Sequence, residues 1–196
     1  MQRLLTIAAM LTVGGVAAPA FAHTGVSATH HLAHGFLHPL SGLDHILAMV
    51  AVGLYAAQLG GRSLWLLPAA FVGTMVAGGL LGYAGVQVPM VEQGIGVSVI
   101  AMGILIALGL RLPALAAIAL VAAFALVHGH AHGSEGAELA SFASYAAGFV
   151  AATVILHGAG IAAGLSLDRL GPLPAAVLKR AAGVAGALAG IAILAG

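Results

Sequence analysis

The segment LPALAAIALVAAFALVHGHAH, Leu112 to His132, decides the fold. A helix rises about 1.5 Å per residue, so crossing a hydrocarbon core of roughly 30 Å takes about 20 mostly apolar residues, and this run supplies them. Its last turn carries three histidines, which places polar chemistry where the span meets one membrane face. Outward from it the same test finds further spans at about Pro39–Leu59, Leu64–Tyr83 and Pro89–Leu110, then at Leu139–Leu165 and from Ala175 to the C-terminus. The expected fold is an all-α polytopic membrane protein with six transmembrane helices.

Composition agrees. Of 196 residues, 62% are hydrophobic and 6% charged, whereas a water-soluble domain carries about a quarter charged residues. A net charge of +1 with six Lys plus Arg leaves no basic patch for nucleic acid. No Walker or Rossmann glycine loop is present, which argues against a bound nucleotide. The absence of cysteine removes disulfides, thiolate metal sites and thiol catalysis together. Any metal must be held by nitrogen and oxygen.

Residues 1–22 read as a cleaved N-terminal signal peptide. Arg3 is the positive head, Leu4 to Val16 the apolar run, and Ala20-Phe21-Ala22 the cleavage site. The mature domain, 23–196, then begins outside. With that start, Arg62, Arg111, Arg169, Lys179 and Arg180 all fall at cytoplasmic helix ends, as the positive-inside rule requires. The expected location is a bacterial inner membrane, with a periplasmic mature N-terminus. Trp65 reads as an interfacial anchor. The pairs Gly160/Gly164 and Gly186/Gly190 read as close-packing positions.

Ionisable side chains within a membrane cost about 2.5–3.5 kcal/mol each at a helix centre, so they mark function by default. Here they gather on the outer side, with His157 and Asp168 as exceptions. One cluster is HPLSGLDH, His38 to His45, in which Pro39 suits a first helical position. Adjacent helical residues point about 100° apart. Asp44 and His45 therefore face one ion only if the helix is distorted, with Gly42 the candidate position; otherwise one binds and the other orients it or faces a second site. Met49, one turn on, is a packing residue or a thioether ligand.

The second cluster is HGHAHGSE, His128 to Glu135. At 3.6 residues per turn, His128, His132 and Glu135 fall within about 60° of one another, a chelating stripe, while His130 projects the other way. Gly129 and Gly133 are expected to loosen this helix end. Glu92, early in the third span, is either favoured there by the helix dipole or a further ligand at the same depth. His23 at a cleaved N-terminus offers its amine and ring to one ion, and His30, His31 and His34 are either an outer antenna or part of a solvated tail. His157 reads equally as an exit-side relay or an interhelical hydrogen bond. Imidazole with carboxylate suits nickel, cobalt, zinc or copper better than magnesium or calcium.

These residues resemble the HupE/UreJ family of hydrogenase and urease accessory permeases. The family's H-x5-DH pattern matches His38, Asp44 and His45; its HGxAHGxE pattern matches His128, Gly129, Ala131, His132, Gly133 and Glu135. The similarity covers essentially the whole mature chain. The other nickel/cobalt permease family places four residues before its DH and fits less well. The resemblance implies a secondary permease for nickel or cobalt serving hydrogenase or urease maturation. It also implies roles for Glu92 and for an aromatic at Phe71, which the residues alone would assign to the core or the lipid face. Val127 stands where the family often has phenylalanine.

The expected metal residues are thus His38, Asp44, His45, Glu92, His128, His132, Glu135 and His23. Ni2+ or Co2+ is expected as transported substrate, with no permanently bound cofactor. The expected partners are that ion, the lipid bilayer and further copies in a homo-oligomer. Two other classes compete: a membrane-embedded zinc-type metalloenzyme using the same cluster, and a proton-conducting or pH-sensing channel using the histidines as relays.

Overall fold

The computed structural model describes residues 28–137, 139 and 141–195, and the regular elements among them are all helices. They are α1 (Ala28–Ser41), α2 (Leu43–Leu59), α3 (Ser63–Tyr83), α4 (Val91–Ala107), α5 (Ala114–Gly136), α6 (Phe142–Asp168) and α7 (Pro172–Ala195). The signal segment 1–22, His23 and Glu138 lie outside the described residues.

Each apolar segment expected from the sequence corresponds to one helix, α2 to α7. Four of them, α3, α5, α6 and α7, are long and apolar enough to cross a membrane. The helices α2 and α4 have 17 residues each, the lower end of a spanning length. The pair α1–α2 passes the test jointly but is bent by 80°. Large apolar side chains face outward, with Leu173 80%, Leu115 79% and Trp65 78% exposed. That surface suits lipid, in which helices satisfy their backbone hydrogen bonds internally. The chain is a multi-pass membrane protein.

The sharpest difference from the sequence reading is α1. A solvated tail was one reading of the N-terminal histidines, yet residues 28–38 are helical and packed on α6. A Cβ on Gly35 would overlap the Tyr145 carbonyl, and one on Gly148 the Leu32 carbonyl, so the two backbones touch. His31 is 5% exposed in this seam. Pro39 does not start a span; it lies in the last turn of α1. The break comes at Gly42, whose extended backbone (φ −92°, ψ 119°) is the N-cap of α2.

Similar glycine seams hold the rest of the bundle. On α3 and α5, Gly129 faces the Met75 carbonyl, Gly133 the Gly79 carbonyl and Gly78 the Leu126 carbonyl, each too close for a Cβ. In membranes, where lipid is as apolar as leucine, such close approach supplies the packing that holds helices together. Gly53 and Gly160 do the same for α2 and α6, and Gly103 with Gly183 for α4 and α7. Gly160, Gly164 and Gly190 pack as expected, whereas at Gly186 an added Cβ would fit, its nearest neighbour being Gly103 Cα at 3.9 Å. Gly129 and Gly133 do not loosen the end of α5, which stays helical to Gly136 because they are clamped against α3.

Candidate metal site

The bend at Gly42 brings the last turn of α1 and the first turn of α2 to one point. Ser41 Oγ donates to the His38 carbonyl at 2.7 Å, closing the end of α1. Across the break, His45 Nδ1 lies 2.9 Å from Asp44 Oδ1. With Asp44 ionised, that nitrogen is the donor and Nε2 keeps the lone pair. The break at Gly42 supplies the helix distortion that would let both residues face one ion, and there the Asp44 carboxylate pairs with the His45 ring. A Cβ on Gly42 would sit 2.8 Å from Asp44 Oδ1 and 3.0 Å from His45 Nδ1, so the glycine leaves room for this pair.

The stripe on α5 meets it from the other side. His132 Nδ1 lies 3.1 Å from Glu135 Oε2, so His132 likewise presents Nε2. The Nε2 atoms of His45 and His132 lie 2.5 Å apart, too close for two bare lone pairs, so they share a proton in the place a metal ion would take. Two rings, each held by a carboxylate on Nδ1 and aiming Nε2 at the same place, form the arrangement by which oriented histidines ligate a metal. His38 Nε2 is 3.4 Å from Glu135 Oε2. Ligand atoms of His38, His132 and Glu135 all lie within 4.8 Å of one another. Phe149 backs His132, ring centroids 4.4 Å apart.

These groups line a cavity of about 230 Å³ with Ser41, Gly42, Glu92, Ile95 and Ala131. Glu92 reaches it because Met90, at a left-handed φ of 58°, starts α4 one residue later and leaves the acid in the first turn. Asp44, Glu92 and Glu135 bring carboxylates to this cavity, and no lysine or arginine is in its lining. Carboxylates offset the charge of a divalent ion in a low dielectric.

The other expected residues divide. His128, fully buried with its ring 5.0 Å from His45, lies outside both the His38–His132–Glu135 group and the cavity lining, whereas Asp44, His45 and Glu92 lie outside that group but line the cavity. His130 turns away, and its Nε2 donates to the Val86 carbonyl at 2.6 Å. Met49 is core packing at 0% exposure. Phe71, also fully buried, is core rather than lipid-facing. His157 makes no interhelical hydrogen bond: both ring nitrogens are buried without a partner. Ser98, which holds His128 at 3.0 Å, and Phe149 were not singled out from sequence. A hydroxyl in an otherwise apolar helix was the available signal for Ser98.

A family model described as HupE / UreJ protein matches residues 9–193. The chain belongs to the HupE/UreJ family. Protein HupE of Rhizobium leguminosarum bv. viciae is 48% identical to it over 187 residues, 94% of this chain and 96% of that protein. No solved structure matches. The HupE/UreJ motif HGxAHGxE now has a physical reading in this chain. His132 and Glu135 face the cavity, Gly129 and Gly133 let α5 touch α3, and the two unspecified positions are His130, which points elsewhere, and Ser134, whose hydroxyl donates back to the His130 carbonyl.

Proposed function

We propose that this chain is a secondary permease carrying divalent nickel, or cobalt, across the bacterial inner membrane into the cytoplasm to supply hydrogenase or urease maturation. In this reading α2 to α7 are six spans, residues 1–22 are removed as a signal, and the mature N-terminus is periplasmic. The observation that carries it is the convergence of carboxylate-oriented His45 and His132 with His38 and Glu135, in an acidic cavity at one end of an apolar bundle. The ion is captured there and partly dehydrated by His38, Asp44, His45, Glu92, His132 and Glu135, then released inward. Neutral imidazoles supply affinity for a late first-row ion, and the carboxylates balance its charge.

The test is uptake of radioactive nickel at nanomolar concentration by cells lacking other nickel transporters, at matched membrane expression. Wild type should accumulate nickel and Asp44→Asn should not. Wild-type uptake by Asp44→Asn removes that carboxylate from the site. No uptake of nickel or cobalt by correctly inserted wild type overturns the permease reading in favour of an embedded metalloenzyme.

A further inference from the structure

Among the described residues, four buried imidazoles carry ring nitrogens with no partner, His31, His128, His130 and His157; two of them, His128 and His157, flank one aromatic ring, and only in His157 are both nitrogens unpartnered. Ser98 Oγ gives its single proton to the Ile95 carbonyl at 2.6 Å, so in its 3.0 Å contact with His128 the histidine Nε2 is the donor. Nδ1 of His128 therefore holds a lone pair, fully buried and unmatched. The Phe71 ring lies 5.8 Å from His128 and 4.9 Å from His157. His157 is 1% exposed, and neither of its ring nitrogens has a partner.

His157 lies deeper than the cavity. Its carbonyl touches Gly53, which follows His45 along α2 by about 12 Å at 1.5 Å per residue. One turn back on α6, Thr153 donates its hydroxyl to the Met75 sulfur at 3.7 Å, and Met75 is one turn from Phe71 on α3. A hydroxyl and a thioether thus pair inside the apolar core within one helical turn of His157 and Phe71, and no carboxylate is in hydrogen-bond contact with His157. A buried donor and acceptor without partners only burden a fold, and a leucine in this place would relieve it. What such a ring retains is the capacity to ligate.

We propose that His157 is a ligand of an inner transit site for the divalent ion, which reaches it from His128 past the Phe71 ring. This rests on the permease reading and adds a second station to it. Transfer exchanges one neutral donor for another, so no electron moves and no covalent bond changes. With no carboxylate at hand, the inner site binds more weakly than the outer cavity, which suits release.

The test compares His157→Leu with His157→Met, variants of similar volume of which only the second offers a donor. Three readouts are taken: nickel uptake at saturating nickel, Ni2+ binding to the purified full-length protein by calorimetry, and Tm. For His157→Leu we expect uptake lowered by about tenfold or more, Ni2+ binding at the outer cavity within about twofold of wild type, and a Tm equal to wild type or higher. His157→Met should recover a substantial part of the uptake. Equal uptake by the two variants, at the wild-type rate or at background, overturns the proposal. So does joint loss of Tm, binding and uptake in both, which marks a structural residue. Absence of uptake in the wild type is a different result: it overturns the permease reading, and the inner station falls with it.

Discussion

The two ends of the bundle use the same few ionisable residues in opposite ways. At one end, histidines from α1, α2 and α5 share a cavity with three carboxylates and no lysine or arginine. At the other, a cavity of about 340 Å³ is lined by Arg111, Lys179, Arg180 and Asp168. There the acid is neutralised, Lys179 Nζ lying 2.6 Å from Asp168 Oδ1. Arg111 is used up on the Gln58 carbonyl at the end of α2, through Nε at 3.1 Å and a terminal nitrogen at 2.5 Å. The difference teaches that a carboxylate near a membrane face is not by itself a metal ligand. What matters is whether a fixed cation has already claimed it.

The largest effect should come from removing a ring that both carboxylate and second imidazole address. His132→Ala takes away one of the two facing Nε2 atoms and leaves Glu135 with His38 alone, so nickel uptake should fall by about 100-fold at matched membrane expression. Uptake near wild type would break the contrast between the ends. Next, Ser41→Lys brings an ammonium into the acidic cavity and makes it resemble the opposite end. Uptake should drop by about tenfold, because like charge disfavours a divalent ion at close range, and raising ionic strength should recover part of it.

A smaller, sharper change is Gly42→Ala. The backbone there suits any residue, so Tm should hold, but the new Cβ would lie 2.8 Å from Asp44 Oδ1. Uptake should fall several-fold with Tm unchanged, and unchanged uptake would show that the Asp44–His45 pairing is not needed. Acidification should act comparably. Protons compete with metal for imidazole, whose unperturbed value is about 6.5. Burial holds His38, on α1, below the usual imidazole range of about 6.5, so uptake should hold to about pH 6.5 and decline only at lower external pH, and a profile still flat at about pH 4 would count against histidine ligation. The smallest effect belongs to the other end. Asp168→Asn should lower Tm by a few degrees, since it leaves the nearly buried Lys179 unpaired, while uptake stays within about twofold, the pair being half-exposed on its acidic side. A large loss of uptake would place that ion pair on the ion's path.

Apolar length, basic residues at alternate helix ends and two histidine clusters were all legible in the linear chain, because hydrophobicity and spacing are local quantities. The residues from His38 to His45 and from His128 to Glu135 could be singled out for the same reason. The angular argument on α5 held for part of its stripe, since an unbroken helix has a fixed period: His132 and Glu135 face the cavity and His130 does not, whereas His128, expected on the same stripe, lies outside the lining. What spacing could not supply was the 80° turn between α1 and α2. That turn depends on Gly35 and Gly148 docking α1 against α6, a contact between residues far apart in sequence.

By itself, then, the sequence determined that this is an apolar helical protein of the HupE/UreJ type, with imidazoles and carboxylates concentrated toward one face. Only the tertiary structure decided which of them meet. It brought His45 against His132, paired Asp44 with His45 and Glu135 with His132, held Asp168 in an ion pair, and left His157 without a hydrogen-bond partner beside Phe71. The physical reason is that ligand geometry depends on how helices approach one another. Here that approach is set by backbone contact at glycines, whose partners lie on other helices and leave no mark at a fixed spacing in the chain.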